Sequence, residues 1–343
     1  MTYETMATLR PCSPPAAPLE DDDLLSEILL RLPPQPSSLP RASAVSKRWR
    51  GLASDPRFCS RFRAHHRRNP PLLGCFLDDL LHIRFEPALE APNRIPQGRF
   101  SFPMESGNRP MPLGCRHGLV LGLHKKHLLV WDPAIGDQQL LDIPPGFDMK
   151  ENWVGAAVFR AAGDVRDFQV VLVGNSDMPP MQMVASVYSS KTGTWGDLTT
   201  APLPPADSSG IVPLDVCPEI PGVMVGDSFY WLLGFNAQLW KRKTNCDGVS
   251  SWVLQRTIAL DEVLSINLEK ETESPSIIGF AEGNNVVLVS TSIGVFTFQL
   301  ESLQFKKLFE SKDYDGYYPF EGVYTADKGT GGGRDGAELL QNA

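Results

Sequence analysis

Apolar residues change their rhythm about one fifth of the way along the chain. Between Asp21 and Pro33 they fall at Leu24, Leu25, Ile28, Leu29 and Leu32, the spacing of one face of an α-helix. Asp21–Asp23 stand where a helix start favours capping oxygens and negative charge. Pro33-Pro34 end the helix, because proline lacks the backbone donor and clashes with the preceding turn. Residues 37–42 predict a second short helix, opened by Ser37 or Ser38. Ala42, Val45, Trp49 and Leu52, at i, i+3, i+7 and i+10, predict a third. Asp55-Pro56 close it and open a fourth, on which Phe58 and Phe62 lie four apart. Helices this short cannot bury an apolar stripe alone, so the block is expected to pack on itself and on a partner.

Beyond about Pro70 the helical spacing disappears. Short or alternating apolar runs take over at 118–123, 127–131, 168–173, 183–188, 228–233, 251–258, 285–291 and 295–300, separated by turn residues. Strand after strand without amphipathic helices predicts an antiparallel all-β domain. A weak repeat runs through it: a strand ending near an aromatic, a polar turn, then a second short strand. It reads VWDPAIGDQQLLDIP (130–144), VYSSKTGTWGDLTTAP (187–202), LWKRKTNCDGVSSWVLQRTIAL (239–260) and FQLESLQFKKLFE (298–310). A period of about 50–60 residues with several strands each points to propeller blades of the kelch-like kind.

Composition supports many turns: Gly 29 and Pro 30 of 343 residues exceed the usual share of about 12%. The segments 1–18 and 327–343 carry little periodicity and are expected to be disordered tails, which leaves 19–68 for the helices and 69–326 for the β domain. The net charge of −8 is unevenly spread. Residues 41–68 hold nine Lys/Arg against Asp55 alone, so a basic helical block sits on an acidic body. No apolar run approaches the length of a membrane helix, and the N-terminus has no secretory apolar core. Six dispersed cysteines without a Cys-x-x-Cys suggest reduced thiols in the cytoplasm or nucleus.

The candidate chemistry is thin. Arg61-Phe62-Arg63-Ala64-His65-His66-Arg67-Arg68 could touch nucleic acid, but no stacking platform accompanies it, and a solvated helix end is the plainer reading. His117, His124 and His127 lack carboxylate or cysteine companions at ligand spacing, so no metal is expected. No nucleophile elbow, P-loop or dinucleotide fingerprint is present, and no cofactor is called for. The recurring Trp131, Trp195, Trp231, Trp240 and Trp252 read mainly as core.

LLSEILLRLP (24–33), AVSKRWRGLA (44–53) and DPRF (55–58) together resemble an F-box. The longer stretch, with CRHGLVLGL, LLVWDPAIG, ASVYSSKTGTWG, VMVGDSFYWLL and LWKRKTN downstream, is similar to plant F-box proteins, those of grasses in particular, over about residues 19–326. The resemblance implies an α+β multidomain chain: a small helical F-box followed by a kelch-like propeller. It implies a Skp-type adaptor held by Leu24, Leu25, Ile28, Leu29, Leu32, Pro33, Val45, Trp49 and Leu52, and through it a cullin–RING ubiquitin ligase. The β domain would hold an unknown target protein, with no catalysis of its own. The pattern departs where Leu233 reaches Leu239 in six residues. About one blade of chain is missing there, so an incomplete propeller is expected as much as a closed one. A non-ligase interaction protein, or a decoy with a degenerate receptor domain, is the alternative. An enzyme on a kelch-like propeller is a third reading, which would need a metal or radical-forming site.

Overall fold

The computed structural model describes residues 21–79, 82–96, 98–101, 110–145, 155–160, 167–176, 182–202, 223–225, 228–233, 236–244, 250–259, 276–291, 294–300, 304–310 and 316–325, with the single positions 19, 147 and 302. The two expected tails lie outside the described residues.

Four helices come first: α1 (Asp22–Leu30), α2 (Ser38–Ser43), α3 (Lys47–Ala53) and α4 (Pro56–His66). Asp21 caps α1, its Oδ1 accepting from the backbone N–H of Asp23 at 2.8 Å and of Leu24 at 3.1 Å. Asp55 caps α4 in the same way, accepting from Phe58 N at 2.8 Å, with Pro56 in the first turn. Each such cap satisfies a backbone donor that the helix leaves orphaned. The expected third helix is shorter than its spacing suggested. Ala42 belongs to α2 and Val45 to a turn, because Ser46 is extended and its hydroxyl accepts from Trp49 N at 3.2 Å, starting α3 at Lys47.

The β region opens with β1 (Leu72–Asp78) and β2 (Ile83–Pro87). A four-stranded sheet follows, β3 (Met111–Arg116), β4 (Leu119–His124), β5 (His127–Trp131) and β6 (Gln138–Asp142). Next come β7 (Gly155–Arg160), β8 (Phe168–Ser176) and β9 (Gln182–Ser189), with the outer strand split into β10 (Thr194–Trp195) and β11 (Thr199–Pro202). A third meander contains β12 (Val223–Val225), β13 (Ser228–Leu233), β14 (Asn236–Thr244) and β15 (Ser250–Ala259). A fourth contains β16 (Ser276–Ala281), β17 (Val286–Thr291), β18 (Gly294–Gln299) and β19 (Phe305–Phe309). Finally β20 (Gly316–Glu321) returns to the start of the β region and pairs antiparallel with β1, with Phe76 opposite Tyr318.

Every described pairing is antiparallel, and the result is five sheets. The edge strands β16, β20, β3 and β7 lie side by side in that order, as the inner strands of successive propeller blades do. Packing there is tight. A Cβ on Gly279 of β16 would sit 2.7 Å from the ring of Pro319 on β20, so only glycine lets the two strands approach. The short interval after Leu233 is a hairpin inside one sheet, β13 pairing with β14 in continuous register. Among the described residues no sheet closes on itself as a barrel, and the sheet of β1, β2 and β20 has three strands where its neighbours have at least four. All four copies of the weak repeat fall on one structural feature, the hairpin from the third strand of a sheet to its outer strand.

Apolar cores fill the spaces between sheets. Leu73, Phe76, Phe85, Phe100, Val120, Trp131, Phe320 and Tyr324 form one between the β1 and β3 sheets. Its rings meet at angles, Phe76–Phe320 at 5.5 Å and Phe85–Phe100 at 4.9 Å between centroids, the geometry that aromatic quadrupoles favour. Leu119, Leu121, Leu128, Val130, Val170, Leu172 and Tyr188 form the second, between the β3 and β7 sheets.

Candidate functional site

The helices bury one side of their stripes. Leu25, Leu29, Leu30, Leu39, Ala42, Ala53, Phe58 and Phe62 make a shared core, with Leu32, Trp49 and Leu52 packed partly buried against it. Of the nine residues expected at a partner surface, the structure therefore separates three groups. Leu25 and Leu29 are fully buried and support the module from within. Leu32, Trp49 and Leu52 line its edge. Leu24, Ile28 and Val45 stand out at 50%, 43% and 62% exposure, and Pro33 is exposed beside them in sequence terms at the end of α1.

Leu24 and Ile28 are four apart and so share one face of α1. Arg48, three residues after Val45, joins this helix to α3. Its Nε donates to Asp22 Oδ1 at 2.7 Å and its Nη1 to the Leu19 carbonyl at 2.9 Å, tying the start of α3 to the start of α1. Leu19 is itself half exposed there. The basic block is used in similar ways. Arg61 donates to Glu27 Oε1 at 2.6 Å, and Arg63 reaches out of the module altogether.

That reach defines the joint with the β body, which sequence reasoning missed. Arg63 Nη1 donates to Thr325 Oγ1 at 2.6 Å. Val323 is buried among the helical core residues. The Ser37 hydroxyl donates to Asn93 Oδ1 at 2.7 Å and so serves as a bridge, with no side-chain cap on α2. Neither Val323 nor Asn93 carries a periodicity or motif that could have signalled this.

Beneath the joint, the C-terminal ends of the inner strands meet in a polar girdle. Arg116 at the end of β3 donates from Nε and Nη2 to both oxygens of Glu282, just past β16, the Nε contact at 2.7 Å. Its guanidinium also lies 4.4 Å from the ring centroid of Phe159 on β7. Arg160 at the end of β7 pairs with the buried Asp132, which also accepts from Ala134 N at 3.1 Å and so shapes the hairpin of the first repeat. Glu321 at the end of β20 accepts from Gly283 N at 2.9 Å and from the Asn284 amide, which also donates to the Pro70 carbonyl. Burial raises the Glu321 pKa, against the pull of those donors. His117 accepts from Arg160 N through Nδ1 at 3.1 Å. Desolvation, and after it the charge of Arg116, holds the His117 pKa below its usual value.

Among the described residues, no group of three or more His, Cys, Asp or Glu could hold a metal ion. Cys75 and Cys115 form no disulfide, and burial pushes both thiols well above the usual range.

Comparison with known proteins agrees with the helical reading. Residues 21–61 match the F-box domain family. The F-box protein At5g03970 of Arabidopsis thaliana is 25% identical over 230 residues, 62% of this chain and 52% of that protein. A second F-box protein of that plant, At1g47790, is 29% identical over 144 residues, 40% of this chain and 35% of its own length. The matched parts thus span about half or less of these relatives. Among solved structures, the WD40 domain of SCAP from fission yeast overlaps 61% of this chain and 43% of its own, at 11% identity and a TM-score of 0.25, too little to assign the β body. The chain carries an F-box domain at residues 21–61, followed by antiparallel sheets, and is similar to plant F-box proteins over a stretch much longer than the helices.

Proposed function

We propose that the chain is the target-recognition subunit of a cullin–RING ubiquitin ligase of the SCF type, joined to a Skp-type adaptor by its helices and to a target protein by its β body. The observation that carries the reading is the exposure of Leu24, Ile28 and Val45 on a module whose core is already filled by Leu25, Leu29, Phe58, Phe62 and Val323. Large aliphatic side chains left half in water gain about 1 kcal/mol or more each when a partner covers them. Leu32, Trp49 and Leu52 extend that surface from the partly buried edge, and Pro33 borders it. Leu25 and Leu29 hold α1 in place behind it. The β body acts as a kelch-like propeller receptor without catalysis of its own. Unpaired thiols such as Cys75 are in keeping with a reducing cytoplasmic or nuclear setting.

The test is a binding titration of the full chain against a purified Skp-type adaptor. Wild type is expected to bind. Ile28→Asp and Val45→Asp are each expected to weaken binding by about 30-fold or more, the scale of an interface hot spot, with unchanged melting temperature. Absence of binding by the wild type overturns the proposal.

A further inference from the structure

We infer that Gly322–Thr325 is a strap that makes the pairing of β20 with β1 and the packing of the F-box one cooperative event. The strap continues directly from β20, and successive side chains serve different parts of the molecule. Phe320, still in the strand, lies in the aromatic core of the β body. Val323 completes the helical core beside Leu29 and Phe62. Tyr324 turns back into the aromatic core, where Arg99 Nε donates to its hydroxyl at 3.2 Å. Thr325, 1% exposed, accepts from Arg63 on α4. Gly322 N donates to the Pro71 carbonyl at 3.1 Å, fastening the strap to the segment that leads from α4 into β1.

The topology makes this more than a contact. β20 pairs with β1, and β1 follows α4 in the chain after five residues. Pulling β20 away from β1 therefore withdraws Val323 from the helices and leaves an apolar gap in their core. Short helices have little stability of their own to absorb that loss. The F-box is thus held by the last described segment of the chain, and it cannot swing freely against the sheets. This holds whether or not the helices bind an adaptor.

Amide hydrogen exchange on the full chain tests it. In wild type under rising denaturant, the amides of Leu29 and Phe62 are expected to merge into the same opening isotherm as Phe76 of β1, the mark of one cooperative unit. Val323→Ala is expected to speed exchange at Leu29 and Phe62 about tenfold. Phe320→Ala, which removes a ring from the β core alone, is expected to speed Leu29 and Phe62 by the same factor as Phe76. The inference is overturned if Leu29 and Phe62 open on a separate isotherm of smaller denaturant dependence, or keep wild-type rates in either variant. Should Phe320→Ala fail to fold, the wild-type isotherm and Val323→Ala still decide the matter.

Discussion

Leu29 on α1 and Phe76 on β1 are both fully buried, and their neighbours differ. Next to Leu29 stands Ile28, half in water, whereas Phe76 lies between Cys75 and Leu77, each 1% exposed. Phe76 faces the aromatic core while Cys75 and Leu77 pack on Leu288 of the β17 strand, so β1 is covered on both faces. α1 is covered on one. A strand so enclosed has no apolar side left to offer, and its residues are committed to stability. A one-sided helix divides its apolar residues between stability and a partner.

The sharpest way to break this comparison is in the sheets. Asp132→Ala removes the carboxylate that pairs with the largely buried Arg160 guanidinium, and the Ala134 turn bond with it. The expected loss is about 3–5 kcal/mol of stability, the usual cost of breaking a buried pair, read by denaturant unfolding. Adaptor affinity of the folded fraction should not move. Within α1 the two roles separate by one residue. Leu29→Ala is expected to cost about 2–5 kcal/mol of stability through its cavity. Ile28→Ala should change stability by less than about 1 kcal/mol and weaken the adaptor by about tenfold. Equal effects of the two on melting would remove the distinction. The smallest effect is with pH. His117 and His66 both have lowered pKa values in the folded state, with desolvation the first cause for each. The unfolded chain therefore binds more protons as pH falls through about 6.5, and stability drops in that window until the folded values are passed. Glu321, with its raised pKa, acts in the opposite sense, so the test is a difference: from pH 7.5 to 5.5, His117→Asn should lose less melting temperature than wild type.

The helical module was largely legible because its signals are local. Asp21 and Asp55 announce helix starts within four residues of the donors they satisfy. Val45 was misplaced into α3 because its spacing from Trp49 fits a helix equally well, and only the extended backbone at Ser46 separates them. In the sheets, the expected strands correspond to β4, β5, β8, β9, β13, β15, β17 and β18, mostly second and third strands with unbroken apolar runs. The inner strands β3, β7, β16 and β20 were not read. Pro112, Gly114, Gly155, Gly279 and Pro319 break up their apolar pattern, and at Gly279 the close approach of Pro319 on β20 is what demands glycine. The separation of Leu25 and Leu29 from Leu24 and Ile28 required the packing, since period alone draws one broad stripe. The strap was invisible because its place depends on a strand pairing across most of the chain.

The polar girdle sets a direction for the whole β body. The turn after β3, carrying His117, and the hairpin between β5 and β6, shaped by Asp132, lie at the end where the helices attach. Strands alternate in direction, so the turn at Lys125-Lys126 between β4 and β5, the facing ends of β8 and β9 at Ser176 and Gln182, and those of β17 and β18 at Thr291 and Gly294 lie at the opposite end. A substitution at Lys125 or Lys126 therefore leaves the contacts that carry the F-box in place, whereas one at Arg116, Glu282, Asp132 or Arg160 disturbs the end of the sheets on which the helices rest.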